Sequence, residues 1–248
     1  MRGRPVLLAF LAAALVASVL SGSRAAGAGA GAARAVPSRA AIDPARFTTT
    51  IDNPWLPLVP GTTRVYIGRR DGKSATNTVT VTANTKRIVG VDTVIVEDKG
   101  YLAGRLAEST LDYYAQDDAG AVWYFGEDTA EYDRHGRVVS TEGTWLTGRG
   151  GAQPGIIMAA EPVVGKRIRQ EYLRGHAEDW YRVIDLARPV TVPYGSFPDA
   201  LVTAEWTPLE PTVRDHKYYA RGIGEVREVA VHGPNEALDL QRVIRPGA

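Results

Sequence analysis

The chain contains no cysteine. That absence removes disulfide cross-links, thiol nucleophiles, cysteine-ligated zinc and iron–sulfur clusters together, and with them the lipid-modified cysteine of a bacterial lipoprotein. Histidine is scarce: the 4 in the chain form no HExxH motif and no pair at the close spacing of metal-binding helices. Neither sign of charge is in excess, with 29 Lys and Arg against 28 Asp and Glu. A chain without a basic cluster is poorly suited to nucleic acid, whose binding is dominated by phosphate neutralisation. Beyond Leu20 no apolar run is long enough to cross a bilayer, and no long stretch repeats with the helical period. Chemistry must therefore rest on carboxylates, histidines, serines, tyrosines or a bound ion.

The amino end does carry one apolar run, Val6 to Leu20, preceded by Arg2 and Arg4 and followed by Ser21-Gly22-Ser23-Arg24-Ala25. A basic start, a short apolar segment and a small-residue exit predict an export signal over residues 1–25; the rival reading is an uncleaved anchor. Removing it takes away three arginines, so the net charge goes from +1 to about −2. Residues 26–41 are Gly/Ala-rich with too little apolar bulk for a core, and read as a disordered linker. Residues 42–248 have a length that β-sandwiches and barrels use as one domain.

Asp52 to Gly61, DNPWLPLVPG, holds three prolines and reads as an extended lid whose Trp55, Leu56 and Leu58 plug one end of the core. Thr63 to Gly68, Thr76 to Thr85 and Lys86 to Glu97 read as strands, with a bend at Gly90 inside the third. After a break at Lys99-Gly100, Leu102 to Gln116 and Ala121 to Phe125 form a hairpin about Asp117-Asp118-Ala119-Gly120. The glycine-dense stretch from Gly143 to Pro154 reads as a mobile loop. Lys166 to Leu173, Ala177 to Asp185, Val190 to Val192, Ala200 to Thr207, Arg214 to Ala220, Glu225 to Val231 and Leu238 to Val243 continue the series. So many short strands between turn signals predict an all-β single domain, a mostly antiparallel curved sheet closing as a half-barrel or barrel.

Alternation along strands sorts the polar side chains into faces. Glu108, Thr110, Asp112 and Tyr114 share one face; Glu171 sits with Arg169 and Leu173; Glu178 sits with Trp180 and Arg182; His216 sits with Arg214 and Tyr218; Glu205 sits with Leu201 and Thr203. One reading has Glu108, Asp112, Glu171, Glu178, Glu205 and His216 converging inside the sheet. Glu108, Glu171, Glu178 and His216 are then the catalytic candidates for a hydrolase or isomerase, and Asp112, His176 and Glu205 the candidate ligands of a divalent cation. The other reading makes them solvated strand faces with weak cross-strand pairing. Aromatic residues are the second candidate set. Tyr114, Trp123, Trp145, Trp180, Trp206 and Tyr218, with Met158, either fill a core or line a cavity for a lipophilic or amphipathic small molecule, gated by the glycine-rich loop. Ser196 lacks the second glycine of a nucleophile elbow, and Gly222-Ile223-Gly224 lacks the third glycine of a dinucleotide loop. No cofactor is specified.

At Ala152 to Tyr172, AQPGIIMAAEPVVGKRIRQEY, and Val192 to Val226, VPYGSFPDALVTAEWTPLEPTVRDHKYYARGIGEV, the sequence resembles a family of uncharacterised exported bacterial β-proteins. The segments LDYYAQDDAGAVWYFGEDTAEY and NPWLPLVPGTT extend the likeness over nearly the whole of residues 42–248. Membership implies export and no particular activity. Tyr218 to Gly224, YYARGIG, is more distantly similar to the closing strand of LolA-like lipoprotein carriers, which implies a half-barrel able to cradle an acyl chain. A non-catalytic binding protein is the leading expectation, an enzyme the second, and an envelope interaction module using a sheet edge the third.

Overall fold

The structure, a computed structural model, describes residues 42–247; the export signal and the linker expected over residues 1–41 lie outside them. A short 3-10 turn, Pro44–Arg46, precedes sixteen strands. They are β1 (Phe47–Thr48), β2 (Thr63–Arg70), β3 (Lys73–Ile88), β4 (Val91–Leu102), β5 (Arg105–Asp117), β6 (Val122–Tyr132), β7 (Val138–Ser140) and β8 (Trp145–Leu146). There follow β9 (Gln153–Met158), β10 (Arg167–Arg169), β11 (Glu171–Tyr172), β12 (Trp180–Val192), β13 (Gly195–Trp206), β14 (Arg214–Ala220), β15 (Gly224–His232) and β16 (Glu236–Ile244). Every pairing is antiparallel, in the order β10-β12-β13-β14-β15-β16-β2-β3-β4-β5-β6-β9-β11. The all-β, single-domain, curved-sheet expectation holds.

The two ends of that order are β10 and β11, which only Gln170 separates in the chain. One extended segment therefore pairs with β12 through Arg167–Arg169 and with β9 through Glu171–Tyr172, and the sheet curls into a nearly closed barrel. Closure needs a glycine: a Cβ on Gly155 of β9 would stand 2.4 Å from the Arg169 carbonyl oxygen and from the Gln170 carbonyl carbon. Gln170 and Glu171 are both buried, so inward-outward alternation breaks there.

Three turn positions differ from expectation. Gly90 is no bulge; Val89 and Gly90, both with positive φ, close the hairpin between β3 and β4. The next turn is Ala103-Gly104, again with positive φ at both residues, rather than Lys99-Gly100, whose residues pair within β4 and β5. A two-residue turn of this twist favours long, matched strands, which is why the threonine-rich run and the segment after it merge into the single β3. Pro198 lies within β13, not in a turn, at a register shift between Arg188/Ala200 and Val190/Phe197 where no ladder donor is required of it.

The lid, Asp52 to Gly61, covers one mouth of the barrel as expected. Trp55 and Leu58 are buried in the main apolar cluster with Val81, Val94, Val96, Met158, Tyr181, Val183 and Leu201. Its hold is largely polar: Asn53 donates to the carbonyls of Gly120 (2.8 Å) and Ala159 (3.1 Å), and Gln116 accepts from the amides of Asp52 and Asn53. Arg64 donates to Pro57 O at 2.6 Å, and the Gly222 amide donates to Pro54 O at 2.8 Å. The glycine-rich loop is tied down by its own turns, Gly148 N to Ala152 O, Arg149 N to Leu146 O and Thr147 N to Phe125 O.

Candidate functional site

The strand registers fix which side chains enter the barrel. Across β4, β5 and β6 the inward row runs Val96, Asp112, Glu127 and the next Asp98, Thr110, Thr129. Across β12 to β15 it runs Tyr181, Glu205, Asp215 and then Val183, Thr203, Lys217, Glu228. Across β16 and β2 it includes the pair Glu236 and Arg70. Glu108, Asp112, Glu171 and Glu205 are all buried and so are not solvated strand faces, whereas Glu178 and His216 are not carried inside with them.

Glu178 lies on the opposite face near a turn and accepts from the Gly175 amide at 2.7 Å. His216 alternates with inward Asp215 and Lys217, so it points outward; burial first, then the charges of Arg214, Arg188 and His232, hold its imidazolium below the usual range. The catalytic set is thus split by the sheet, Glu108 and Glu171 inside, Glu178 and His216 outside. His176 sits at the carbonyl of Thr144, 3.2 Å away, in a different region from Asp112 and Glu205. Among the described residues no group of three or more His, Asp or Glu side chains is arranged to hold a metal ion.

A partly open cavity of about 70 Å³ lies under the lid, bordered by Leu56 and Leu58. It is lined by the apolar Leu56, Leu58, Val79, Val96 and Ile157 and by Arg64, Tyr66, Asp98, Asp112, Tyr114, Lys217, Tyr219 and Glu225, with the two kinds side by side where Val79 pairs with Asp98 and Val96 with Asp112. That space holds a few waters or a small organic group, well below the roughly 300 Å³ or more of a drug-sized site. Of the aromatic residues and Met158 expected to line a pocket, only Tyr114 reaches it. Met158 is packed beneath it in the main cluster, and Trp145 is buried edge-on to Tyr124. Trp123 lies outside, donating to Asp117 and edge-on to Phe47. Trp180, Trp206 and Tyr218 are on the outer face, alternating with inward neighbours. The cavity borders the lid, not the glycine-rich loop.

Burial dominates the electrostatics of this interior. Asp112, 3 % exposed, accepts from Tyr124 Oη at 2.6 Å; burial nevertheless pushes its carboxyl up to about 7, with Tyr124 and the charge of Lys217 acting the other way. Asp98 is raised well above the carboxylate range by burial and then by Asp112 and Glu108; Glu127 by burial and the same two neighbours; Glu171 by burial, Asp179 and Glu127. Thr129 donates to one Glu127 oxygen at 3.0 Å and the other is left without a donor. Lys217 behaves differently. Burial works against its charge, but Glu205 at 3.5 Å and Glu228 at 3.8 Å outweigh that and hold its ammonium well above the ordinary range. Glu205 also accepts from Thr203 at 2.8 Å and Gln170 at 3.2 Å.

Two residues central to this site escape a sequence reading that looks for rare residue types. Lys217 lies beside His216 in DHKYYA, and Glu127 lies in GEDTAEY; both are marked only by the register that sets them opposite Glu228 and Asp112.

No family model matches the chain, and no curated protein matches it. Two solved structures are similar. One is a Bacteroides fragilis protein assigned as exported, with a YmcC-like fold, at 15% identity over 77% of this chain and 99% of that one, TM-score 0.46. The other is a Parabacteroides distasonis protein assigned as a lipoprotein, at 12% identity over 77% and 98%, TM-score 0.41.

Proposed function

We propose that the protein is an exported, non-catalytic binding protein that takes part of a lipophilic or amphipathic small molecule under its lid. Export is supported by the basic, apolar and small-residue succession at the amino end. The observation that carries the binding reading is the mixed lining of the cavity, with apolar Leu56, Leu58, Val79, Val96 and Ile157 beside polar Arg64, Asp98, Asp112, Lys217 and Glu225. An occupant with an apolar body and a polar end satisfies both kinds of lining, whereas a purely apolar one would leave buried polar groups without partners. Since the space is small, a longer molecule displaces the lid, whose fastening is a set of hydrogen bonds around otherwise buried Trp55 and Leu58.

Native mass spectrometry of the chain purified without detergent tests this. An adduct of constant mass is expected, lost in Ile157→Trp, which fills the cavity. Absence of any adduct, together with no rise in melting temperature from medium-chain alkyl amines or alkanoates, contradicts the reading.

A second reading has one observation in its favour, a carboxyl raised to about 7 at the cavity wall. It would make Asp112, rather than Glu171 or His216, the general acid of an enzyme. Turnover of any bound compound that Asp112→Asn abolishes while binding persists would select it.

A further inference from the structure

The outer face of β10, β12, β13 and β14 carries arginines interleaved with aromatic rings. The Arg169 guanidinium lies 4.3 Å from the Tyr172 ring and 4.5 Å from that of Trp180; Trp206 has Arg214 at 5.1 Å and Arg167 at 6.0 Å. Register ties the rows together, with Trp180 opposite Trp206 and Arg167 opposite Arg182. Among the described residues Arg167, Arg169, Arg182 and Arg214 form no ion pair, and neither do Arg105, Arg134, Arg149 and Arg174 elsewhere on the surface; what sets this face apart is that three of its guanidinium groups lie over three rings. Stacking on the rings holds Arg167, Arg169 and Arg214 in place without a carboxylate. At the rim, the turn before β10 exposes Val163 and Val164 by 53% and 54%, and the Gly165 amide bonds Val183 O at 2.8 Å, which sets those valines beside Arg182.

We propose that this face docks on an anionic lipid bilayer. Guanidinium edges left free above stacked rings are donors matched to phosphate oxygens. Tryptophans at a polar–apolar boundary are suited to the headgroup level, and the exposed valines have somewhere apolar to go only if the partner has an acyl layer. A dissolved acidic polysaccharide or nucleic acid would use the arginines but gain nothing from Val163 and Val164. The surface is on the outside of the barrel and is independent of the cavity.

Flotation of the full chain with phosphatidylcholine vesicles and with phosphatidylcholine–phosphatidylglycerol vesicles tests the proposal. Any contribution of the apolar run at Val6 to Leu20 is common to both, so the difference reports the face. The expected result is binding to the anionic vesicles that falls with added salt and weakens roughly tenfold or more in Arg167→Gln/Arg182→Gln/Arg214→Gln. If loss of the Trp206 stack unfolds that variant, Val163→Asp/Val164→Asp on the exposed turn gives the same readout without touching a ring. Equal binding to both vesicle types, no change in a folded variant, or retention on heparin without retention on anionic vesicles would each overturn the assignment to lipid.

Discussion

Two parts of the barrel interior hold carboxylates at similar depth, one around a buried ammonium and the other without one. On β13 to β15, Glu205, Glu225 and Glu228 surround Lys217, which is 6% exposed and lies 3.5 Å from Glu205. On β4 to β6 and β11, Asp98, Asp112, Glu127 and Glu171 form no ion pair among the described residues. In the first part burial raises Glu225 and Glu228 too, but the charge of Lys217 works against it; in the second no ion pair opposes the burial that raises Asp98, Glu127 and Glu171, and Asp112 has its Tyr124 partner. The cavity lies where the parts meet, which is why its lining presents both an ammonium and protonated carboxyls.

The largest expected effect comes from making the two parts alike. Lys217→Met removes the counter-charge and should cost about 3–5 kcal/mol at neutral pH by denaturant unfolding, because it leaves buried carboxylates unpaired. A loss under about 1 kcal/mol would mean that the acids around Lys217 are already neutral and the contrast is false.

The pH dependence of stability sharpens the contrast from the other side. Between roughly pH 4, where an unfolded Asp ionises, and about 7, where folded Asp112 does, the native chain keeps a proton that the unfolded chain has released. Stability from this group therefore falls as pH rises through that window, by at most about 1.4 kcal/mol per pH unit, and is level above it. Asp112→Asn should flatten that part of a curve of unfolding free energy against pH; an unchanged slope would assign the proton elsewhere.

Smaller still is Glu171→Gln. Since Glu171 is held neutral, replacing it with an uncharged side chain of the same shape should alter stability by no more than about 1 kcal/mol at pH 6, whereas a drop like that of Lys217→Met would show it to be charged. The least effect belongs outside the barrel. His216→Ala, on the outer face, should shift the melting temperature by an amount equivalent to about 0.5 kcal/mol or less, and a larger loss would give it a role that its position does not suggest.

These contrasts also show what could be read from the residues alone. Strand alternation placed Glu108, Thr110, Asp112 and Tyr114 together, and it put Glu205 with Leu201 and Thr203, because the period of two is set by local backbone geometry. It could not say that the acidic face is the inner one: the usual guide, apolar inward, is inverted along β5, whose inward row is mostly polar. The break at Gln170 was invisible for a different reason. Barrel closure brings Gly155 against a segment after it in the chain, and nothing local in RIRQEY marks the change of partner. Glu171 was consequently grouped with Arg169, which in fact stacks outside on Trp180. His216 stands out as a rare titratable residue, while its neighbour Lys217, whose charge acts on Glu205, Glu225 and Glu228, is a common residue type that nothing local marks.

The account turns on whether the carboxyls of β4 to β6 and β11 keep their protons in the folded chain, and carbon-detected NMR titration of the side-chain carboxyls measures this directly. The result predicted is an Asp112 carboxyl that titrates at about 7, with those of Glu127 and Glu171 still protonated at pH 6. Titration of all three between roughly pH 3.5 and 4.5, as in an unfolded chain, would contradict it.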